Sequence, residues 1–453
     1  MKDKTIRPKW IVLLDTLLLA LLACYVLAGV KKVPFHGDES TIIWMSADYD
    51  TVVLKGDISA VTYSPPPRRT TEQHLRILNG TWTRWTMGVA WSAAAFHRTD
   101  LNDQWVWGLD TEWNRDNGHL PSGRLLNVTR LSSALFLIFS MALVLRMTRL
   151  VASQVFTHPL IATSAGWLSA ILYALNPVIL MNGRRAMFEG AMLFSLALVG
   201  WTVLRLVNRQ DSFKSYLLVG VAAGIALTAK HSTAFTIALL FLGLLVVKWQ
   251  KSHNKSKQIY WLIFKFGLAG MTALIVFLAL TPLWWSSHFL EMPGVVLDER
   301  QKLLDEQVAL FGGYHGWVER LEGLWEGTFG VEPQYYEADY WGDYTGVADE
   351  IDEYENSYLA GITSLGMVEI RIFLVVAGLG AIGLGWRRGQ KNIAIVLAIW
   401  MIGIVVISLL TIPLDWQRYY LPIQTPLSAV MGLGGAMLMQ VILSRGQLKH
   451  GMV

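Results

Sequence analysis

The chain has one cysteine, Cys24, in 453 residues. A disulfide framework and a cysteine-built metal site are therefore excluded. Charge is also scarce: Asp, Glu, Lys and Arg make up 16% of the residues against 53% hydrophobic, and mean hydropathy is positive. Soluble domains carry about 25% charged residues, so this balance indicates a membrane protein. No low-complexity tract and no repeat at fixed spacing is visible. The glycines of "GWVERLEGLWEG" follow no strand and so form no nucleotide loop.

Trp10 to Val30 is an apolar run of about 20 residues, long enough to span, interrupted only by Asp15. No A-x-A-like cleavage site follows it, so a retained anchor is expected. Nine further stretches can span: 125–145, 161–181, 187–207, 215–231, 233–249, 259–283, 369–386, 393–412 and 421–443. The expectation is an all-α polytopic integral membrane protein of about ten transmembrane helices. With ten, every group of loop cations falls on one side: Lys2, Lys4, Arg7 and Lys9; Arg146 and Arg149; Arg205, Arg209 and Lys214; Lys248, Lys251, Lys255 and Lys257; Arg387, Arg388 and Lys391; Arg445 and Lys449. Cytoplasmic loops concentrate Lys and Arg, so both termini are expected to be cytoplasmic. These loops also account for the net charge of +4, and no nucleic-acid partner is implied.

Residues 1–453 read as a single membrane domain with two long outer loops, 31–124 and 284–368. Loops of this length are usually functional. In the first, Ile42, Met45, Tyr49 and Val52, and then Leu75, Leu78, Trp82, Trp85 and Val89, fall at helical spacing. Both stretches are expected to be amphipathic helices in the membrane interface. Asp38 and Glu39 precede the first, and adjacent helical residues point about 100° apart, so at most one of them can face a given site. Asp38 could instead be a helix N-cap. The second loop holds seventeen Asp or Glu between Glu291 and Glu355, against Arg300, Lys302 and Arg320. Its run "EPQYYEADYWGDYTGVADEIDEYENSY" interleaves Tyr335, Tyr336, Tyr340, Trp341, Tyr344, Tyr354 and Tyr358 with carboxylates. Such a run suits sugar rings, or is simply a solvated acidic loop. "DEIDEYE" lacks the turn glycine of an EF-hand; no metal ligands are assigned, and a divalent ion remains possible.

Five cations break the topology rule: Arg130, Arg184, Arg185, Lys230 and Arg418. They sit at outer helix ends, level with Asp38, Glu39 and Glu189. Charges in or near hydrocarbon generally face a bundle interior or a polar pathway. Taken singly, Lys230 and Arg418 could snorkel to water, and Glu189 could neutralise Arg185 four residues earlier. Together, the cations suit a phosphate whose tail stays in lipid, and the carboxylates can accept a proton from a hydroxyl. That fits group transfer from a lipid phosphate to a hydroxyl acceptor outside the membrane. His231, beside Lys230, is the one histidine held near this set.

Five segments resemble, in order, those of the GT-C superfamily of polyprenyl-phosphate-sugar-dependent glycosyltransferases, especially its protein O-mannosyltransferase-like branch. They are "HGDES" (36–40), "GHLPSGRLLNVTRLSSALF" (118–136), "NPVILMNGRRAMFEGAMLF" (176–194), "GIALTAKHSTAF" (224–235) and "QRYYLPIQTPLSAV" (417–430). The resemblance implies a GT-C fold and an inverting single displacement. It implies Asp38 as the catalytic carboxylate that deprotonates the acceptor hydroxyl, with Glu39 as its neighbour. Arg130, Arg185 and Lys230 would hold the site or contact the lipid phosphate, Glu189 would contact sugar or acceptor, and Arg418 and Tyr419 would meet the lipid-linked donor. "LPSGR" stands where mannosyltransferases more often show paired prolines and a lysine. The implied partners are a polyprenyl-phosphate sugar, a protein, lipid or glycan acceptor and membrane lipids. A bacterial plasma membrane with an outer-facing site is expected. A glycan polymerase or ligase with a lipid-diphosphate donor, or a lipid or solute transporter, are the alternatives. Transporters tend to show matching halves and midplane charges, and neither is visible here.

Overall fold

The computed structural model describes residues 8–208, 211–252, 256–338, 341 and 346–450. Lys2, Lys4, Arg7, Arg209 and Lys255 of the charge pattern, and Tyr340 and Tyr344 of the aromatic run, lie outside these residues. Among the described residues there is no strand. The first half comprises α1 (Lys9–Ala28), α2 (Gly37–Met45), α3 (Thr71–Leu78), α4 (Thr81–Ala93), α5 (Thr111–Asp116), α6 (Gly123–Val155), α7 (Pro159–Ala174), α8 (Pro177–Arg184) and α9 (Phe188–Asn208). The second comprises α10 (Phe213–Ala229), α11 (Thr233–Ser252), α12 (Ser256–Leu280), α13 (Met292–Phe311), α14 (Trp317–Phe329), α15 (Val347–Glu355), α16 (Gly366–Arg387), α17 (Lys391–Thr411) and α18 (Leu421–His450).

The protein is an all-helical membrane protein. Eight described helices are long and apolar enough to cross a bilayer, α7 with α8 makes a ninth, bent candidate, and α10 is a shorter apolar helix. These ten positions coincide with the ten expected from sequence. One expectation changes in shape: 161–181 is not one straight span. It bends by 64° between α7 and α8. Proline lacks the N–H that would continue the helix and clashes with the preceding turn. Asn176 then caps the new helix, its Oδ1 accepting from the N–H groups of Val178 (3.0 Å) and Ile179 (3.3 Å), with Pro177 at the first position. The bend aims the end of α8, with Arg184 and Arg185, into the protein.

The core runs through α6, α7, α9, α10, α17 and α18. Lipid offers no hydrophobic drive between helices, so close approach depends on small residues. On α10, a Cβ added at Gly220 or Gly224, four residues apart, would lie 2.5 Å from the Ala269 carbonyl oxygen or 2.7 Å from that of Ala273 on α12.

Helix α1 is largely exposed along its length and is held by polar ties. Asp15 accepts from both terminal nitrogens of Arg149 on α6 at 2.5 and 2.6 Å and from the Trp167 indole on α7 at 2.7 Å. Arg149, expected in a loop, is thus buried inside α6. Its pairing removes the cost of placing either charge alone in hydrocarbon.

The helices of the first long segment are packed into protein more than expected for interfacial helices. α2 buries Gly37, Glu39 to Ile43 and Met45, leaving only Asp38 and Trp44 partly open. The second expected stretch is two helices, α3 and α4, broken at the extended Asn79-Gly80, and Gly80 lies where a Cβ would be 2.2 Å from the Ala229 carbonyl oxygen at the end of α10. Arg76 and Arg84 converge on Asp48, the former at 2.7 Å. The Trp85 indole donates to the Leu280 carbonyl at the end of α12 (2.9 Å). The second long segment packs on the first: Tyr335, Tyr336, Trp341 and Tyr354 form a buried cluster with Val33 and Met181. The Phe35 N–H donates to Glu350 at 3.1 Å and Lys32 pairs with Glu353, so the "DEIDEYE" carboxylates tether segments together.

Asp15→Asn leaves Arg149 without its counter-charge inside the helix bundle. Breaking a buried pair costs about 3–5 kcal/mol. The expected outcome is a clearly lowered thermal unfolding midpoint in detergent; an unchanged midpoint would show that other contacts hold α1.

Candidate active site

Asp38 and Glu39 have separate environments. The N-cap of α2 is His36: its Nδ1 accepts from the Asp38 N–H (3.1 Å), and Glu39 accepts from the His36 N–H (3.1 Å). The capping role thus falls to His36, and the Asp38 side chain is left for other contacts. Glu39 is 0% exposed and accepts two bonds from Arg130, both 2.7 Å, and one from the Ala186 N–H at 2.8 Å. Burial alone would raise its pKa; the Arg130 guanidinium, helped by Arg185 and the Ala186 N–H, brings the net shift downward. So engaged, Glu39 organises the loop and has no free lone pair directed at a substrate.

Two of the expected phosphate-binding arginines are committed to backbone carbonyls. Beyond Glu39, Arg130 donates to the Val30 (3.1 Å) and Val33 (3.0 Å) carbonyls. Arg184 donates to Val26 (3.0 Å), Tyr25 (2.8 Å) and Leu359 carbonyls and to the Tyr354 hydroxyl (2.8 Å). The last turn of α1 presents carbonyls and the negative end of its dipole, which the buried Arg184 answers, while Arg130 answers carbonyls of the turn after it. Arg185 differs. Its Nε donates to the Pro34 carbonyl (3.1 Å) and Nη1 to the Tyr335 carbonyl (3.0 Å), while Nη2 is buried with no partner.

The remaining residues converge. Arg418, just before α18, pairs through Nη1 with Asp38 Oδ2 at 2.5 Å and through Nε with Glu337 Oε1 at 2.8 Å. Glu337 Oε2 lies 2.8 Å from His36 Nε2. The His36 ring stacks on Tyr336, centroids 5.3 Å apart, and meets the Trp107 edge at 5.5 Å. Lys230, at the turn between α10 and α11, pairs with Glu189 Oε1 at 2.6 Å, and Glu189 also lies within electrostatic reach of Arg418. Glu189 therefore neutralises Lys230 rather than Arg185, and its Oε2 is buried without a partner. The Tyr419 hydroxyl donates to Gln307 Oε1 on α13 at 3.3 Å. For His231, held near this set, burial with the charges of Arg300 and Arg84 drives the pKa down to about 3, the direction of a neutral ring.

Three contributors were not singled out from sequence: His36, Glu337 and Arg300. His36 sits within "HGDES" and Glu337 within the aromatic–carboxylate run, so both motifs were visible and the individual residues were not. Arg300 on α13 is a largely desolvated guanidinium whose charge reaches His231 and Tyr419, and no carboxylate pairs with it among the described residues. Asp38 is the most open carboxylate of the group, its side chain 27% exposed against 8% for Glu337 and 2% for Glu189. Its Oδ1 takes no bond among the described residues. Among those residues no group of three or more His, Cys, Asp or Glu could hold a metal ion. The carboxylates around Asp38 are instead taken up by Arg418, Lys230 and Arg130.

Residues 104–291 match the family model of dolichyl-phosphate-mannose-protein mannosyltransferase. Over this stretch, less than half of its length, the chain is similar to that family. No curated protein matches the chain. Among solved structures, the Saccharomyces cerevisiae protein O-mannosyltransferase Pmt1-Pmt2 complex bound to the sugar donor is similar at 17% identity and TM-score 0.43, over 61% of this chain and 34% of that one. ArnT from Cupriavidus metallidurans bound to undecaprenyl phosphate is similar at 13% identity and TM-score 0.48, over 96% and 63%. The Archaeoglobus fulgidus oligosaccharyltransferase complex with Zn and sulfate is similar at 12% identity and TM-score 0.49, over 95% and 50%. The match thus spans between about a third and just under two thirds of the length of these chains.

The family stretch contributes Lys230 and Glu189, while Asp38, Glu337 and Arg418 lie outside it. For Glu337, burial would raise the pKa, but Arg418, then His36, pull it well below the ordinary 4.5. A carboxylate with a lower pKa folded than unfolded adds stability above its unfolded pKa and loses it as pH falls through the folded value. Glu337 should therefore contribute to acid unfolding below about pH 4.5. Thermal midpoints measured from pH 7 downward should fall more steeply below that point in the parent protein than in Glu337→Gln. Parallel curves would show that the Glu337 pair is not linked to folding.

Proposed function

We propose that the chain is a glycosyltransferase that moves a sugar from a polyprenyl-phosphate donor to a hydroxyl acceptor on the outer face of a plasma membrane, bacterial in type, by a single inverting displacement. The observation that carries this reading is Asp38: a partly open carboxylate with one oxygen on Arg418 and Oδ1 uncommitted, in a group that includes the partly buried cations Arg418 and Lys230. The family match supports the reading over 104–291.

The acceptor hydroxyl gives its proton to Asp38 Oδ1 as its oxygen attacks the anomeric carbon. A new glycosidic C–O bond forms, and the bond from that carbon to the phosphate oxygen breaks. The electron pair leaves with the polyprenyl phosphate and the proton stays on Asp38. Charge then builds on the departing phosphate. Lys230, Arg300 and Arg185 Nη2 are the groups able to donate to it, and Glu189 holds Lys230 in place until donor binds. Arg418 fixes Asp38 against rotation, and Glu337 and His36 fix Arg418. A protein, lipid or glycan can supply the hydroxyl.

The test uses purified protein in liposomes with a panel of labelled polyprenyl-phosphate sugars and hydroxyl acceptors, reading release of free polyprenyl phosphate. General-base catalysis contributes about 10²–10⁴-fold, so Asp38→Asn should lose at least that lower factor in turnover while still binding donor. Removing a charge-assisted bond costs about 1.5–3 kcal/mol, so Arg300→Ala should weaken polyprenyl phosphate binding roughly 10-fold or more. Turnover retained in Asp38→Asn would contradict the assignment of the base.

A further inference from the structure

The second long segment carries an amphipathic helix that the transfer reaction does not use. Successive helical residues lie about 100° apart, which divides α14 into three arcs. Trp317, Val318, Leu321 and Trp325 share one and are exposed, the two tryptophans at 61% and 49%. Glu319, Glu322 and Glu326 share the next, with Glu322 and Glu326 exposed. Arg320, Gly323 and Gly327 share the third, which faces protein: Gly327 lies where a Cβ would be 2.2 Å from the Tyr420 ring.

The protein-facing arc fixes the level at which α14 lies. Arg320 donates to the Leu409 (3.2 Å) and Ile412 (3.0 Å) carbonyls, at the end of the spanning helix α17. Arg371 near the start of α16 donates to the Gly330 carbonyl (3.1 Å), just past α14. Gln424 on α18 donates to the Thr328 carbonyl at 2.9 Å, and the Tyr314 and Tyr420 hydroxyls lie 3.0 Å apart. Helix α14 is thus tied to the same-side ends of three spanning helices. Val406 and Leu410 are exposed apolar residues in the last two turns of α17, the helix whose end Arg320 grips.

We propose that α14 lies in the plane of the bilayer surface, with Trp317, Leu321 and Trp325 seated in the headgroup region and Glu322 and Glu326 turned to water. A helix with apolar, aqueous and protein-contacting arcs at the ends of spanning helices matches the requirements of an interfacial element, with tryptophan at the headgroup level. The seating also bears on the site, because the turn that α14 grips at Tyr420 carries Arg418. The inference rests on exposure and contacts and is independent of the chemistry proposed above.

The test places a nitroxide on single cysteines in full-length Cys24→Ser protein reconstituted in phosphatidylcholine nanodiscs: Trp317→Cys, Leu321→Cys, Trp325→Cys and Glu322→Cys. Collision with oxygen, which concentrates in lipid, should exceed collision with a water-soluble nickel complex at the first three positions and be reversed at Glu322. Nickel-dominated collision at all four would place the helix in water and overturn the proposal. Exclusion of both reagents from the first three would mean that protein, such as a second copy, covers the face, and would equally overturn it. A readout without cysteine substitution uses brominated phosphatidylcholine: the fluorescence it quenches in the parent protein should shrink in Trp317→Phe and Trp325→Phe, and an unchanged quenched component would count against the proposal.

Discussion

The guanidinium of Arg418 bridges two carboxylates from distant parts of the chain, Asp38 in the first long segment and Glu337 in the second. A desolvated guanidinium is tolerable only with counter-charge beside it. Its two partners are therefore drawn together, and with them the ends of α2 and α18 and the aromatic cluster of the second segment. Glu337 then reaches His36, which caps α2 and so sets the direction of Asp38. One cation thus links the packing of two segments to the aim of a single carboxylate.

A second set of arginines makes this geometry possible without taking part in it. Arg130 and Arg184 gather the carbonyls at the end of α1 and the turn after it. Asp15 and Arg149 hold the other end of the same helix. Since α1 buries little of its own surface, these polar ties carry much of the work of keeping the chain that leads into Asp38 in place. Such bonds are few and directional, which suits a segment whose position has to be set within hydrogen-bond tolerance.

The ten apolar stretches were legible because hydrocarbon demands long runs of apolar residues, and that demand leaves a plain trace in sequence. The bend at Asn176-Pro177 carried a local signature too, a capping residue followed by proline, but an apolar run on both sides hid it. Asp38 and Arg418 could be picked out as charges in unusual places. What could not be read was which cation answers carbonyls and which is left for a ligand. Arg184 and Arg185 are adjacent and chemically identical, and only the direction of α8 after its bend gives one four partners and leaves the other with a spare donor. The same holds for Asp38 and Glu39, separated by a helical turn of about 100°. Glu337 was hidden for another reason: an acidic stretch gives no sign of which carboxylate will be met by a buried arginine some eighty residues later.

The most direct test of Asp38 and its surrounding cations as a transfer site is an experimental structure of the protein in nanodiscs with bound polyprenyl phosphate. The phosphate is predicted within hydrogen-bond reach of Lys230 Nζ or the Arg300 guanidinium, with Asp38 Oδ1 facing the space beside it. A phosphate held elsewhere, out of reach of both cations and remote from Asp38, would contradict this assignment of the site.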